Sequence, residues 1–330
     1  MTPKPMPISA NPTSPVTLDS IRAAARVLDG VAIRTPLRDA PDLSARVGVP
    51  VALKCELLQP VGAFKIRGAY HALARLVGRG GARGVVTASS GNHGQALAYA
   101  ARQFGLRAVI VMPESTPQVK VDGVRRQGGE VVLAGATRSA EQGARAEAIA
   151  REEGLAVIPP FDHPDVIAGQ GTIGLEILEQ RPDTTAILAP VSGGGLISGI
   201  SVAVAALAPS VEVIGVEPAG AAKLTAALAA GEPRTLAHTE SMADGLLSRS
   251  VGSLTFDLLR RVVREAVTVT EAEIAEAVRY LHGHAGLRAE PSGAVAVAAL
   301  LAGHVRPAGP TVAVVSGGNV DPDLYQRLVG

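Results

Sequence analysis

Short apolar runs alternate with helical patterns along almost the whole chain. Ile21, Ala24, Ala25 and Leu28 fall on one face of a helix over 17–28, which Thr17 can cap and Gly30 can end. Strands are predicted at 51–53, 84–88, 108–112, 130–134, 155–158, 186–191, 211–216, 266–269 and 311–315. Helices are predicted between them at 64–77, 94–104, 119–127, 138–153, 167–179, 196–207, 271–283 and 293–302. The strand runs are apolar without alternation, the pattern of parallel strands covered on both faces. Alternating β and α units predict an α/β protein with two open, doubly wound sheets and flanking helices. Ligands of such sheets sit beyond the carboxyl ends of the strands, so chemistry is expected in the loops there.

Composition refines this picture. A chain of 330 residues is long enough for about two domains. Hydrophobic residues make up 47%, yet there are only four Phe, four Tyr and no Trp, so the core is built from Ala, Val, Leu and Ile. Residues 1–16 are proline-rich, lack an apolar stretch and read as a flexible tail rather than a secretory signal. A net charge of +1 argues against a nucleic-acid partner, and no run of about 18 apolar residues points to a membrane span. The single cysteine, Cys55, excludes an internal disulfide and reads as a small core residue. A cytoplasmic protein is the expectation. Of 31 basic residues only five are lysines: Lys4, Lys54, Lys65, Lys120 and Lys223. Lysine can form an imine or lose its proton, and arginine does neither, so each lysine invites a question.

Four loops carry candidate chemistry. Gly62 to Ala69 places Lys65 at a helix start, where the dipole and nearby Arg67 are expected to lower its pKa. Ser89, Ser90, Gly91, Asn92, His93 and Gly94 lie between a strand and a helix, an arrangement that suits a carboxylate or an ordinary capped turn. Ser192, Gly193, Gly194, Gly195 and Leu196 offer a glycine-rich phosphate cradle. The same loop approximates a dinucleotide fingerprint, with Ser198 in place of its last glycine and Glu217 about 20 residues on, which would make the chain a nicotinamide dehydrogenase. Ser316, in Ser316-Gly317-Gly318-Asn319, follows the last strand and can present a hydroxyl to the same crevice. His282 and His284 are two apart and face different sides of a helix, a poor metal pair; His163 reads as a capping or surface residue.

A phosphate loop, an imine-forming lysine, a carboxylate loop and a polar group at a strand end are together what pyridoxal 5′-phosphate catalysis on an amino acid requires. From about Ile33 to Asp321 the chain resembles the fold type II pyridoxal-phosphate enzymes of the serine/threonine dehydratase and serine racemase group, tryptophan synthase β-like in fold. Phe64-Lys65-Ile66-Arg67-Gly68-Ala69 resembles the family's Schiff-base lysine motif. The loops at Ser89 and Ser192 resemble its substrate and phosphate loops, with Ser192 where a fourth glycine is usual. Ala243-Asp244-Gly245, Glu290-Pro291-Ser292-Gly293-Ala294 and Ser316-Gly317-Gly318-Asn319 resemble its later motifs, in the family's order.

The resemblance implies a discontinuous large domain of residues 17–80 and 161–330, with a small domain of 81–160 inserted. It implies that Lys65 carries the cofactor, Phe64 packs beside it and Asn92 reaches the ring's 3-hydroxyl. Ser192 to Leu196 would hold the phosphate, Ser316 would meet the pyridine nitrogen, and Ser89 to His93 would bind the substrate carboxylate. The implied reaction is β-elimination of L-threonine or L-serine to a 2-keto acid and ammonia, with Lys65 removing the Cα proton. Serine racemase, with Ser90 as the proton donor on the opposite face, and 3-hydroxyaspartate dehydratase are the alternatives. A homodimer is the family's usual minimum, and is the expectation here. With nine residues after Asp321, an added C-terminal regulatory domain is not expected. Racemase-like members bind a divalent cation at the positions of Glu217, the Ala221 carbonyl and residue 223. Lys223 puts a cation where that set needs an anion, so no metal is expected.

Overall fold

The computed structural model describes residues 14–81, 83–89, 91–136, 140–263 and 265–330. Ten strands are described: β1 (Leu37–Asp39), β2 (Val51–Lys54), β3 (Gly84–Ala88), β4 (Arg107–Met112), β5 (Glu130–Leu133), β6 (Ala156–Val157), β7 (Ala186–Pro190), β8 (Glu212–Pro218), β9 (Ala266–Val269) and β10 (Thr311–Val314). They form one sheet in the order β1-β2-β10-β7-β8-β9 and a second in the order β5-β4-β3-β6. All pairings are parallel except that of β1 with β2. The strands of the second sheet all come from between residues 84 and 157.

Among the described residues, thirteen α-helices surround these sheets. They are α1 (Leu18–Leu28), α2 (Pro41–Val47), α3 (Lys65–Gly78), α4 (Asn92–Gln103), α5 (Gln118–Arg126), α6 (Ala140–Glu153), α7 (Pro164–Gln180), α8 (Gly195–Leu207), α9 (Lys223–Ala230), α10 (Ser253–Leu259), α11 (Glu271–Gly283), α12 (Pro291–Leu301) and α13 (Pro322–Val329). Predicted elements recur within a few residues of their expected bounds. The pattern reading omitted β1, α2, α9, α10 and α13, the short or peripheral pieces. Thr17 caps α1 in a reciprocal capping box with Ser20, and His163 caps α7 by accepting from the Asp165 N–H at 3.2 Å.

The unalternating strands are explained by what covers them. In β7, Leu188 packs against α11 and α12, while Ile187 and Ala189 face α7 and α8. In β10, Ala313 and Val314 divide in the same way. The second sheet buries Val85, Ile110 and Met112 under α3, α4 and α5, and Val86, Val109 and Val111 under α6. Each such aliphatic side chain contributes about 1.5–3 kcal/mol on burial. With aromatic residues scarce, nearly every core contact is aliphatic, and Cys55 is a buried member of the first core. No helix among the described residues is long and apolar enough to cross a membrane.

Candidate active site

A cavity of about 400 Å³ lies between the two sheets, beyond the carboxyl ends of β3, β7 and β10. Phe64, Lys65, Ser89, Gly91, Asn92, His93, Ser192, Gly193, Gly194, Gly195, Leu196 and Ser316 all line it. Four loops far apart in sequence thus converge on one space. Ser90 lies outside the described residues.

Lys65 opens α3, and the loop before it is stitched to the last strand's loop. Phe64 N–H donates to the Ser316 carbonyl at 3.0 Å, and Gly318 N–H donates to the Gly62 carbonyl at 2.9 Å. The Lys65 amine donates to the Pro160 carbonyl at 2.6 Å and has no carboxylate partner among the described residues. Burial without a counter-ion lowers its pKa to about 8. The direction is the one expected from sequence, but the cause is different. Arg67 points away from Lys65, into a buried network beneath the first turn of α3. Its guanidinium donates to Glu56 at 2.8 Å, to Glu176 at 2.6 and 2.9 Å, and to Thr172 at 3.1 Å. Lys54, also buried, donates to Glu176, Gln180 and the Thr35 carbonyl. Burial opposes the charge on Glu56, yet Arg67 holds its carboxyl below the usual range. Two cations and two carboxylates therefore anchor the turn that presents Lys65.

The loop at 192–196 leaves β7 and starts α8. Gly194 adopts φ +96°, a left-handed conformation that suits glycine, and no side chain caps the helix. The Phe161 ring lies so close to Gly193 that a Cβ there would overlap it. The Gly193 carbonyl accepts from Thr255 Oγ1 at 2.7 Å and from Gly252 N–H at 3.1 Å. The N–H groups of Gly193, Gly194 and Gly195 donate to no acceptor among the described residues. Free N–H groups at a helix N-terminus make an anion cradle. The dinucleotide alternative fails on the same geometry. Ser198 turns its hydroxyl back to the Gly194 carbonyl, and Glu217 is fully buried beside Lys223 and the start of α9.

In the same cavity wall, Ser89 Oγ accepts from Gly94 N–H, in the first turn of α4, at 3.1 Å. Asn92 donates its amide to Glu290 and accepts from Asn319 Nδ2 at 2.8 Å. His93 pairs its Nε2 with the Ile158 carbonyl at 3.0 Å, while Nδ1 is buried without a partner among the described residues. Burial, then the charge of Lys65, push the His93 pKa down to about 3, so the ring is neutral. Burial pushes the Glu290 carboxyl up to about 7. Lys120 of α5 forms an ion pair with Asp244 beside the cavity.

Phe161, Lys120, Asp244 and Glu290 are among the cavity residues to which sequence reasoning gave no individual role. Lys120 carried the same signal as Lys65, scarcity, and Phe161 is one of only four Phe.

A lysine of lowered pKa in one cavity with a phosphate cradle fits pyridoxal phosphate, and the comparisons agree. The family model described as "Pyridoxal-phosphate dependent enzyme" matches residues 28–317. The chain belongs to this family. It is 43% identical over 315 residues to L-threonine ammonia-lyase of Thermotoga maritima, covering 95% of this chain and 78% of that protein. Among solved structures, maize serine racemase superposes with a TM-score of 0.91 at 36% identity, covering 95% of this chain and 97% of that one. The processed form of threonine deaminase isoform 2 from Solanum lycopersicum gives a TM-score of 0.87 at 38% identity, covering 99% of this chain and 93% of that one. The family's fold is fold type II, and its cofactor is pyridoxal 5′-phosphate.

Proposed function

We propose that the chain is a threonine/serine ammonia-lyase: it eliminates water from a β-hydroxy amino acid, and the released enamine takes up one water to give a 2-keto acid and ammonia. The observation that carries this reading is Lys65: an amine of pKa about 8, without a counter-ion, in one cavity with an anion cradle. The relatives named for threonine ammonia-lyase and threonine deaminase support the substrate class.

Pyridoxal phosphate, when bound, supplies the aldehyde that takes the substrate amine and the ring that delocalises the electron pair left at Cα. We assign Lys65 to hold the cofactor and then, as a free amine, to take the proton from Cα. A pKa of about 8 leaves roughly a tenth of the amine neutral at pH 7, and more above it, far more than an ordinary lysine offers as a base. Gly193, Gly194 and Gly195, with Ser192 and Leu196, would bind the phosphate through main-chain N–H groups. Ser316 would meet the ring nitrogen with a neutral hydroxyl. Such a partner does not hold that nitrogen protonated as a carboxylate would, which favours elimination over transamination. Phe64 packs beside the amine, and Asn92, fixed by Glu290 and Asn319, would face the ring. The Ser89–His93 loop would bind the substrate carboxylate. The division into a large domain of 17–80 and 161–330 and a small one of 81–160, the homodimer and the cytoplasmic location belong to the same reading.

The test is a panel of β-hydroxy amino acids assayed for keto acid and ammonia. Turnover of L-threonine and L-serine with a borohydride-sensitive yellow chromophore is expected. Absence of the chromophore and of both products would sink the proposal.

The likeness to maize serine racemase favours a second activity. We infer that Ser90 delivers a proton to the face of Cα opposite Lys65. Slow formation of D-serine from L-serine is expected, abolished in Ser90→Ala while dehydration persists. If chiral chromatography detects no D-serine from the parent enzyme, Ser90 is a carboxylate-loop residue alone.

A further inference from the structure

Lys223 opens α9 and is fully buried. Its ammonium sits in a cage of oxygens: the Ala221 carbonyl at 2.6 Å, the Leu246 carbonyl at 2.9 Å and Glu217 Oε1 at 3.4 Å. Glu217 is itself fixed. Oε1 accepts from Leu224 N–H at 2.7 Å, and Oε2 accepts from Thr225 N–H at 2.9 Å and Thr225 Oγ1 at 3.0 Å. Three donors besides the ammonium hold this carboxylate in one orientation.

The oxygens come from three separate places. Glu217 is the penultimate residue of β8, Ala221 lies in the short 3₁₀ turn Ala219–Ala221, and Leu246 closes the turn Asp244–Leu246. That last turn lines the cavity: Asp244 pairs there with Lys120, and Gly245 N–H donates to Ser292 Oγ at 2.9 Å. Carbonyls and a carboxylate converging from separate segments are a donor set that a hard cation would also accept. Here an ammonium fills the centre, and a metal ion beside it would be repelled. The residues present therefore do not fit a divalent metal.

We propose that Lys223 is a built-in cation. Its ammonium takes the oxygen-lined position that a diffusible ion would otherwise fill, and it ties the turn Asp244–Leu246 of the cavity wall to the end of β8. Lys223 is a positioning residue, acting on the substrate cavity through that turn. Replacing the ammonium with a carboxylate would place two carboxylates around two carbonyls, a set suited to Ca²⁺ or Mg²⁺. Truncating it would leave an anionic hole shaped for a short alkylammonium ion.

The experiment uses the purified holoenzyme and reads the thermal unfolding midpoint together with kcat and KM. These are measured after EDTA dialysis and after adding Mg²⁺, Ca²⁺ or propylammonium. The midpoint does not depend on which amino acid is the substrate. For the parent, midpoint and kinetics are expected to be indifferent to EDTA and to both metal ions. Lys223→Asp is expected to lose stability in EDTA and to recover by about 3 °C or more with Ca²⁺ or Mg²⁺. Lys223→Ala is expected to raise KM several-fold with a smaller change in kcat, and to be partly restored by propylammonium but not by propanol.

A parent enzyme that loses activity or stability in EDTA and regains it with Mg²⁺ or Ca²⁺ overturns the proposal without any variant. So does a folded Lys223→Asp whose midpoint ignores both metal ions, or a Lys223→Ala indistinguishable from the parent.

Discussion

Lys65, partly buried at the cavity, and Lys223, fully buried, are both withdrawn from bulk water, and what separates their chemistry is the counter-ion. Lys65 has the Pro160 carbonyl and no carboxylate partner among the described residues. Lys223 has two carbonyls and the Glu217 carboxylate. Burial lowers both pKa values; around Lys223, Glu217 works against that lowering, while nothing offsets it at Lys65, which falls to about 8. The first site leaves its amine unpaired and so holds a proton acceptor. The second pairs its charge and holds the wall in place. Lys54 follows the second pattern beneath α3, paired with Glu176. Within one protein, the presence of a carboxylate separates a reactive lysine from a structural one.

The largest effect that follows is at the reactive site. Lys65→Ala is expected to fold but to lose keto-acid formation by ~10²–10⁴-fold or more, the range for removing a general base. Residual turnover within tenfold of the parent would place the reactive amine elsewhere.

The paired pattern breaks next. Arg67→Met leaves the buried Glu56 and the partly buried Glu176 with one cation fewer, at a cost of about 3–5 kcal/mol in denaturant unfolding. The exposed pair Arg34–Glu179 is the control, and Arg34→Met is expected to cost no more than about 1 kcal/mol. Equal costs at the two sites would mean that the network beneath α3 does not depend on burial.

A smaller effect concerns Glu290, a buried carboxyl without a cation in contact, the mirror image of Lys65. Its pKa is raised in the fold from 4.5 to about 7, so the folded chain holds that proton more tightly than the unfolded chain does. The stability it contributes is present below pH 4.5 and is lost as pH rises through about 7. Glu290→Gln keeps an acceptor for Asn92 and removes the charge. It is expected to flatten the loss of stability between those pH values and to raise the unfolding midpoint at pH 8. An unchanged pH–stability curve would show that Glu290 is charged in the fold. The smallest effect is Thr17→Ala, which removes the α1 cap at about 1 kcal/mol, far from either lysine, and leaves turnover unchanged. A loss of turnover there would couple α1 to the cavity.

Much of the site was legible because its residues sit at strand ends. Apolar runs place the strands, and the loops after them must meet at the crevice, which is how Ser89, Ser192 and Ser316 come together with Lys65. What the pattern hides is the far side of each contact. Nothing local marks Phe161 as the wall behind Gly193, or Glu290 as the partner of Asn92, because those contacts span 32 and 198 residues. The destination of Arg67 was hidden for a related reason: Glu56 lies 11 residues back in the turn Glu56–Leu58, and Glu176 meets it only once α3 and α7 pack together. Lysine scarcity went further than any single motif. All four described lysines are buried or partly buried at a bonded site, while many arginines lie on the surface.

The contrast between the two kinds of lysine is tested most directly by reducing the holoenzyme with borohydride and mapping the modified peptides by mass spectrometry. The pyridoxyl group is expected on Lys65, with Lys54, Lys120 and Lys223 unmodified. A pyridoxyl group on any of those three, or none on Lys65, would contradict the account.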